Sequence, residues 1–413
     1  MWILIYLRQQ IKKQKGFGEM IKHASLFSQL IDVFDRNKFK KIVNKHGSEK
    51  YSKGFDSWDH YVSMLFCQLA GAQSLREITK GLSCTVGKLK HLGMKGAPKR
   101  STLSYANKNR SCEVYKDMFY ETLSFCQNSI PKKRKFKFKN KLLSFDSSLI
   151  SLSLSLFPWA EYRQKKGAVK LHLLLDHEGY IPVFANITDG KTHDSNIGWD
   201  IPVMKDSIIV VDRAYVDFDL LYHWNLNKAY FVSRQKSNAA FKIIEEKRVP
   251  QKSNILNDQI IELTGCNTRK KYPLKLRRVV VWDSIKEKEL VFITNNFKFG
   301  ATTISEIYKD RWEIEIFFKT LKQNLKIKTF VGTSENAINI QIWTALISIL
   351  LIKYLTFKSS FGWSISNLVA LLRWNLFTHR DLWEWIDDPF KDYRQQNESN
   401  QQTFDFRYFR QQT

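Results

Sequence analysis

The stretch YKDRWEIEIFFKTLKQNLKI, from Tyr308 to Ile327, holds two glutamates two residues apart, and a helical reading separates them. At about 100° per residue, Arg311, Glu315 and Lys322 fall at about −60°, −20° and −40° from Tyr308, on one narrow stripe. Ile307, Ile314, Phe318, Leu321 and Leu325 form an adjoining apolar stripe at about −80° to −140°, the face that a core-packed helix buries. Glu313 lies far from both, at about 140°. A helix that buries one face and carries Tyr308, Arg311, Glu315 and Lys322 along its margin reads as the wall of a site, with Glu315 its acid. Taken alone, the stretch reads equally well as a solvated face of i,i+4 charge pairs.

The chain around it has 413 residues, enough for two or three domains. Lys and Arg total 66 against 40 Asp and Glu, a formal charge of +26 spread along the chain. That excess calls for a polyanionic partner. Nucleic acid is favoured over a membrane surface, because no long basic amphipathic helix stands out. Five cysteines without paired CxxC spacing give neither a zinc site nor a disulfide framework, and suit a reducing compartment. The longest apolar stretch, IWTALISILLIKYL, is too short for a bilayer span and is broken by Lys353, so it reads as a buried helix.

Residues 1–20 read as an extension ahead of a start at Met20, since their apolar run is too short for a signal peptide. Residues 21–130 have helical texture and read as an N-terminal DNA-binding domain. Within it PKRSTLSYANKNR (98–110) offers Lys99 and Arg100 to DNA, with Ser101 or Thr102 as N-cap of a helix whose Asn and Lys positions suit a major groove. An ordinary helical bundle with a basic surface is the competing reading. Residues 131–141 form a basic linker with one proline. Strands then follow: KLLSFDSSLISLSLS, AVKLHLLLDHEG with YIPVFANITDG as hairpin partner, SIIVVDRAYV and AYFVSRQ. Residues 142–375 thus read as an α/β domain carrying a β-rich insertion at about 236–289, with ELVFITNNF leading back to the Tyr308 helix. Residues 376–413 read as a polar C-terminal tail, Gln-rich at its end.

Two acids stand where strands leave this core: Asp146 after LLSF and Asp212 after IIVV. A carboxylate there must be solvated, paired or metal-bound. Singly, each is explained as a strand-end cap or turn residue. Together with Glu315 they offer an all-oxygen set suited to Mg²⁺ or Mn²⁺.

The spacing Y-(2)-R-(3)-E-(6)-K, filled by Tyr308, Arg311, Glu315 and Lys322, resembles that of bacterial insertion-sequence transposases of the DDE type. FDSSLI resembles the first-aspartate strand of that family and VVDRAYVDF its second-aspartate block. FPWAEYRQKKGAVKLHLLLD and ITDGKTHDSN resemble its connecting sequence. The likeness covers about Leu142 to Phe330.

The resemblance implies a ribonuclease-H-like catalytic domain, α/β in class, preceded by the all-helical DNA-binding domain, with the β-rich insertion between the second aspartate and the glutamate. It implies that Asp146, Asp212 and Glu315 are catalytic and hold two Mg²⁺ (or Mn²⁺) ions, and that Glu313 is a surface residue. Arg311 and Lys322 would bind phosphates, with Tyr308 beside them. Trp312 and Trp282 are candidates to stack on a displaced base, burial being the other reading. His193 and Asp194 orient the second strand region, touch DNA or cap a turn. Arg213 and Tyr215 support the site or the fold. The implied partners are double-stranded DNA, as element terminal inverted repeats and target, and a second copy in a synaptic homodimer, with no membrane. The implied setting is the cytoplasm of a bacterium, at the nucleoid. A metal-dependent nuclease that does not join ends and a non-catalytic DNA-binding regulator are the alternatives.

Overall fold

A computed structural model describes residues 23–391, except 51, 53, 86, 131–133, 164–165, 252 and 328. The expected extension at 1–20 and the Gln-rich end at 392–413 lie outside the described residues.

The first part is helical: α1 (Leu26–Ile31), α2 (Arg36–Lys45), α3 (Ser57–Ala70), α4 (Leu75–Ser83), α5 (Arg100–Asn109) and α6 (Glu113–Ser129). Side-chain caps start most of these helices. Asp35 accepts from the Asn37 and Lys38 amides and Asp56 from the Asp59 amide, while at α4 Ser74 accepts from the Glu77 amide and the Glu77 carboxylate from the Gln73 amide. The N-cap of α5 is Lys99, without a side-chain cap, so the expected cap at Ser101 or Thr102 is replaced by a start at Arg100. Pro98 stands just ahead of this start and fixes the entry of the chain.

A ten-stranded sheet follows, built from β1 (Leu142–Leu152), β2 (Glu161–Arg163), β3 (Lys166–Asp176), β4 (Ile181–Asp189), β5 (Ile208–Val211), β6 (Tyr230–Arg234), β7 (Phe241–Glu246), β8 (Ile255–Leu263), β9 (Leu276–Asp283) and β10 (Lys288–Thr294). Short helices α7 (Asp194–Ile197), α8 (Phe218–Leu226) and α9 (Cys266–Lys271) connect strands. The order is β2-β3-β1-β5-β6-β10-β9-β8-β7, with β4 also on β3. β1, β3 and β4 form an antiparallel meander, and β5 and β6 run parallel to β1. β7 to β10 continue the same sheet through antiparallel pairing of β10 with β6, so the expected insertion is an extension of the sheet rather than a separate layer.

The chain ends in α10 (Ala301–Asp310), α11 (Trp312–Asn324), α12 (Glu335–Lys358), α13 (Ile365–Asn375) and α14 (Leu382–Asp387). α12 contains the apolar stretch around Lys353. By length and composition it could span a membrane, yet most of it is buried inside the protein, against α3, α5, α6 and α13. Its core is continuous with α11 and with one face of β1 and β3. α14 joins that core through Leu382, Trp385 and Ile386, so the first part of the segment read as a polar tail is packed. The Leu26 and Phe27 amides donate to the carbonyls of Thr378 and Leu376, tying the segment before α14 to α1.

Strand alternation decides where the acids point. Leu143 and Phe145 with Ile209 and Val211 pack under α8, whereas Leu142, Ile208 and Val210 pack under α10. Asp146 and Asp212 continue the second set, so both face the α10–α11 side.

Candidate active site

β1 and β5 are paired in parallel, with Phe145 opposite Val211 as the last pair. The next residue in each chain segment is an aspartate, which sets Asp146, within β1 rather than at its end as expected, beside Asp212 just past the end of β5. Asp212 ends its strand and opens a short 3-10 turn, its Oδ1 accepting from the Arg213 amide at 2.5 Å. Asp146 accepts from the Ser147 amide at 2.8 Å.

Above them the helix expected to run unbroken through Tyr308–Ile327 divides at Arg311, the C-cap of one segment and the N-cap of the next. The Arg311 amide bonds the Tyr308 carbonyl and the Ile314 amide bonds the Arg311 carbonyl, i→i+3 contacts that tighten the chain there. The apolar stripe is as expected, with Ile307, Ile314, Phe318, Leu321 and Leu325 all buried. Arg311 Nη1 donates to Asp146 Oδ2 at 3.2 Å and Nη2 to Glu315 Oε1 at 2.6 Å, a fork that ties helix to strand. Its Nε is buried without a hydrogen-bond partner. The Tyr308 hydroxyl lies 3.5 Å from Asp212 Oδ1, at the outer edge of hydrogen-bond range. Lys322 reaches along the same strand to the Leu149 carbonyl at 2.8 Å.

Burial raises the Asp146 pKa to about 6; Asp212 and Glu315 push the same way, against Arg311 and the Ser147 amide. The Tyr308 phenol is raised to about 12, by burial first and by Asp212 in part. Burial thus disfavours the charged form of the Asp146 carboxyl even with Arg311 beside it. As the side chains stand, the acids are bridged by a guanidinium rather than gathered into a ligand cluster, and among the described residues no cluster of three or more His, Cys, Asp or Glu is close enough to hold a metal. The donor set nonetheless fits a hard divalent cation: all oxygen, within electrostatic reach of one another, with a carboxyl whose charge is under-compensated.

The other sequence candidates separate. Glu313 is half-buried rather than fully on the surface, within electrostatic reach of Lys353 and Tyr180. Trp312 is exposed beside the centre on α11, while Trp282 is exposed on β9 and Lys99 and Arg100 are exposed at the start of α5, on separate elements. The Arg213 side chain is exposed. Tyr215 is buried against Phe145. His193 caps α7 through the Ser195 amide. Asp194 accepts from the Ser147 hydroxyl at 2.9 Å and pairs with Lys170 at 3.2 Å, which buttresses the strand next to Asp146. Asp310 and His177 went unnoticed in the sequence, although Asp310 adjoins Arg311 in the motif itself; they meet at 2.5 Å.

A family model described as "Transposase DDE domain" matches residues 137–351, and one described as a domain of unknown function (DUF4372) matches residues 22–95. Three relatives are each named as a transposase. That of Sinorhizobium fredii is 27% identical, over 69% of this chain and 80% of its own length. That of the insertion sequence element IS5377 of Geobacillus stearothermophilus is 28% identical, over 62% and 67%. That of the element IS4SA of Synechocystis is 25% identical, over 66% and 76%.

Proposed function

This chain belongs to the transposase DDE domain family, as a DNA-cleaving and strand-transferring enzyme of an insertion sequence, and from that premise we propose that Asp146, Asp212 and Glu315 are its catalytic carboxylates. The observation that carries this assignment is the Arg311 fork between Asp146 and Glu315, beside an Asp212 set next to Asp146 by the β1–β5 register.

The family implies a divalent metal. In this reading the three carboxylates would hold two Mg²⁺ or Mn²⁺ ions, which would supply Lewis-acid charge at a phosphodiester. Arg311 offers a planar fork to a phosphate and Lys322 a point charge farther along β1. Tyr308 packs its ring against Phe292 and under the Arg311 guanidinium, fixing the direction of the fork. Trp312 stands exposed for a displaced base. The antiparallel β4-β3-β1 meander followed by parallel β5 and β6 supports a ribonuclease-H-like fold. The helices of residues 21–130 bind the terminal inverted repeats, supported by the exposed Lys99 and Arg100, and two copies synapse the element ends in the bacterial cytoplasm, at the nucleoid.

The test follows a labelled 3′ end. With Mg²⁺, the purified protein should release the element end and then join it to target DNA. Release without joining would make it a nuclease only, and binding without release a regulator.

A further inference from the structure

Beside the Arg311 fork runs a second tie between the same two elements. Ser144 lies two residues before Asp146 on β1 and so faces the same side of the sheet. Its hydroxyl is 2.7 Å from His177 Nε2, and His177 Nδ1 is 2.5 Å from Asp310 Oδ2. With Nδ1–H donating to the carboxylate, Nε2 accepts from the Ser144 hydroxyl. The second Asp310 oxygen accepts from Lys135 Nζ at 2.5 Å, and the His177 amide donates to the Leu142 carbonyl at 3.1 Å. Ser144, His177 and Asp310 are all buried. Linker, strand β1, the turn after β3 and the end of α10 therefore meet in one closed hydrogen-bond chain.

Its place gives it consequence. Asp310 is the last residue of α10 and Arg311 is the pivot between α10 and α11. Two ties thus start two residues apart on β1 and end on consecutive residues at a helix junction tightened by i→i+3 contacts. Any shift of Asp310 moves the Arg311 backbone, and with it a guanidinium that bridges Asp146 and Glu315. A surface salt bridge has no such leverage, because it is free to re-form elsewhere. The Ser144, His177 and Asp310 groups of this chain are buried, so they must satisfy one another.

We propose that Asp310, clamped by His177, Ser144 and Lys135, is a positioning residue that sets the Arg311 fork on the reaction centre. The proposal rests on the assignment of Arg311 to that centre. Misplacing a reacting group by about 1 Å costs about 100-fold. Asp310→Ala should therefore lower single-turnover cleavage at saturating DNA by about 10- to 100-fold, with the DNA dissociation constant within about twofold of wild type. Asp310→Asn keeps an oxygen for His177 Nδ1–H and should stay within about threefold of wild type, a rescue that also guards against a misfolded alanine variant. Acting through Arg311, Asp310→Ala should add less than about twofold to the loss of Arg311→Lys. Equal fold-losses in both backgrounds would overturn the proposal, as the mark of a merely structural residue. Crystal structures of wild type and Asp310→Ala read the same point without catalysis. Arg311 Nη1 should leave Asp146 in the variant, and an unmoved guanidinium would overturn the proposal even if the wild type cuts no DNA.

Discussion

Arg311 is joined to Asp146 across the boundary between helix and sheet, Nη1 to Oδ2 at 3.2 Å, while its other nitrogen holds Glu315 at 2.6 Å. A lysine has no second nitrogen with which to span both acids. Arg311→Lys should lower cleavage by about 100-fold while leaving binding of a long DNA fragment within a few-fold. Parallel measurements of the single-turnover rate and the dissociation constant check this, and equal losses in both would assign Arg311 to DNA affinity alone.

Tyr308 separates a hydroxyl effect from a packing effect. Its hydroxyl is 3.5 Å from Asp212, a weak contact, but its ring packs against Phe292 at 4.6 Å between centroids and under the Arg311 guanidinium at 5.6 Å. Tyr308→Phe should cost less than about tenfold in cleavage rate and Tyr308→Ala about 100-fold. A large loss in the phenylalanine variant would mean that the hydroxyl itself takes part.

The division of the helix at Arg311 marks how far the sequence could be read. The apolar stripe from Ile307 to Leu325 and the strand ending before Asp212 were legible, because burial imposes a period on the sequence, whereas Asp146, read as standing at a strand end, lies in mid-strand because β1 stays paired with β3 as far as Leu152. The break was not, since nothing in YKDRWE interrupts that period. At the break Asp310 bonds His177, 133 residues earlier in the chain, a contact that no local window shows. For the same reason the β-rich stretch at 236–289 was recognised as strands but not as a continuation of the catalytic sheet. Pairing partners lie outside any local window. Residues 376–391 read as tail because Leu382, Trp385 and Ile386 occupy a single helix turn amid polar residues, too short to show periodicity.

Arg277 and Asp258 anchor the extended sheet. They form a two-bond pair at 2.8 and 2.7 Å, both buried, and Arg277 also donates to the Phe299 carbonyl just ahead of α10. Arg277→Ala leaves a buried carboxylate unpaired and should destabilise the protein by about 3–5 kcal/mol. Adding Asp258→Leu should recover much of that loss, as read by denaturant unfolding. A double variant no more stable than the single would show that the bond to the Phe299 carbonyl dominates.

His60 predicts acid sensitivity of the helical part. It is buried on α3 with Nε2 at 2.8 Å from Asn107, and burial lowers its pKa to about 3, the Asn107 bond opposing. The unfolded chain takes up a proton below about pH 6.5 while the folded imidazole stays neutral. The unfolded state then binds more protons, so stability is lost as pH falls from about 6.5 toward 3, by at most about 1.4 kcal/mol per unit. Between pH 6.5 and 5 the wild type should lose about 1.6 kcal/mol more than His60→Gln in urea melts. Equal losses would place the acid sensitivity in other groups.

On the proposed assignment Glu315, rather than Glu313, completes the centre begun by Asp146 and Asp212. The direct measurement is Mg²⁺-dependent nicking of DNA carrying the ends of the encoding element, compared for wild type, Glu315→Gln and Glu313→Gln at matched DNA occupancy. The predicted result is nicking by wild type and by Glu313→Gln, with Glu315→Gln binding the DNA but leaving it intact. Nicking by Glu315→Gln at the wild-type rate, or its loss in Glu313→Gln alone, would contradict it.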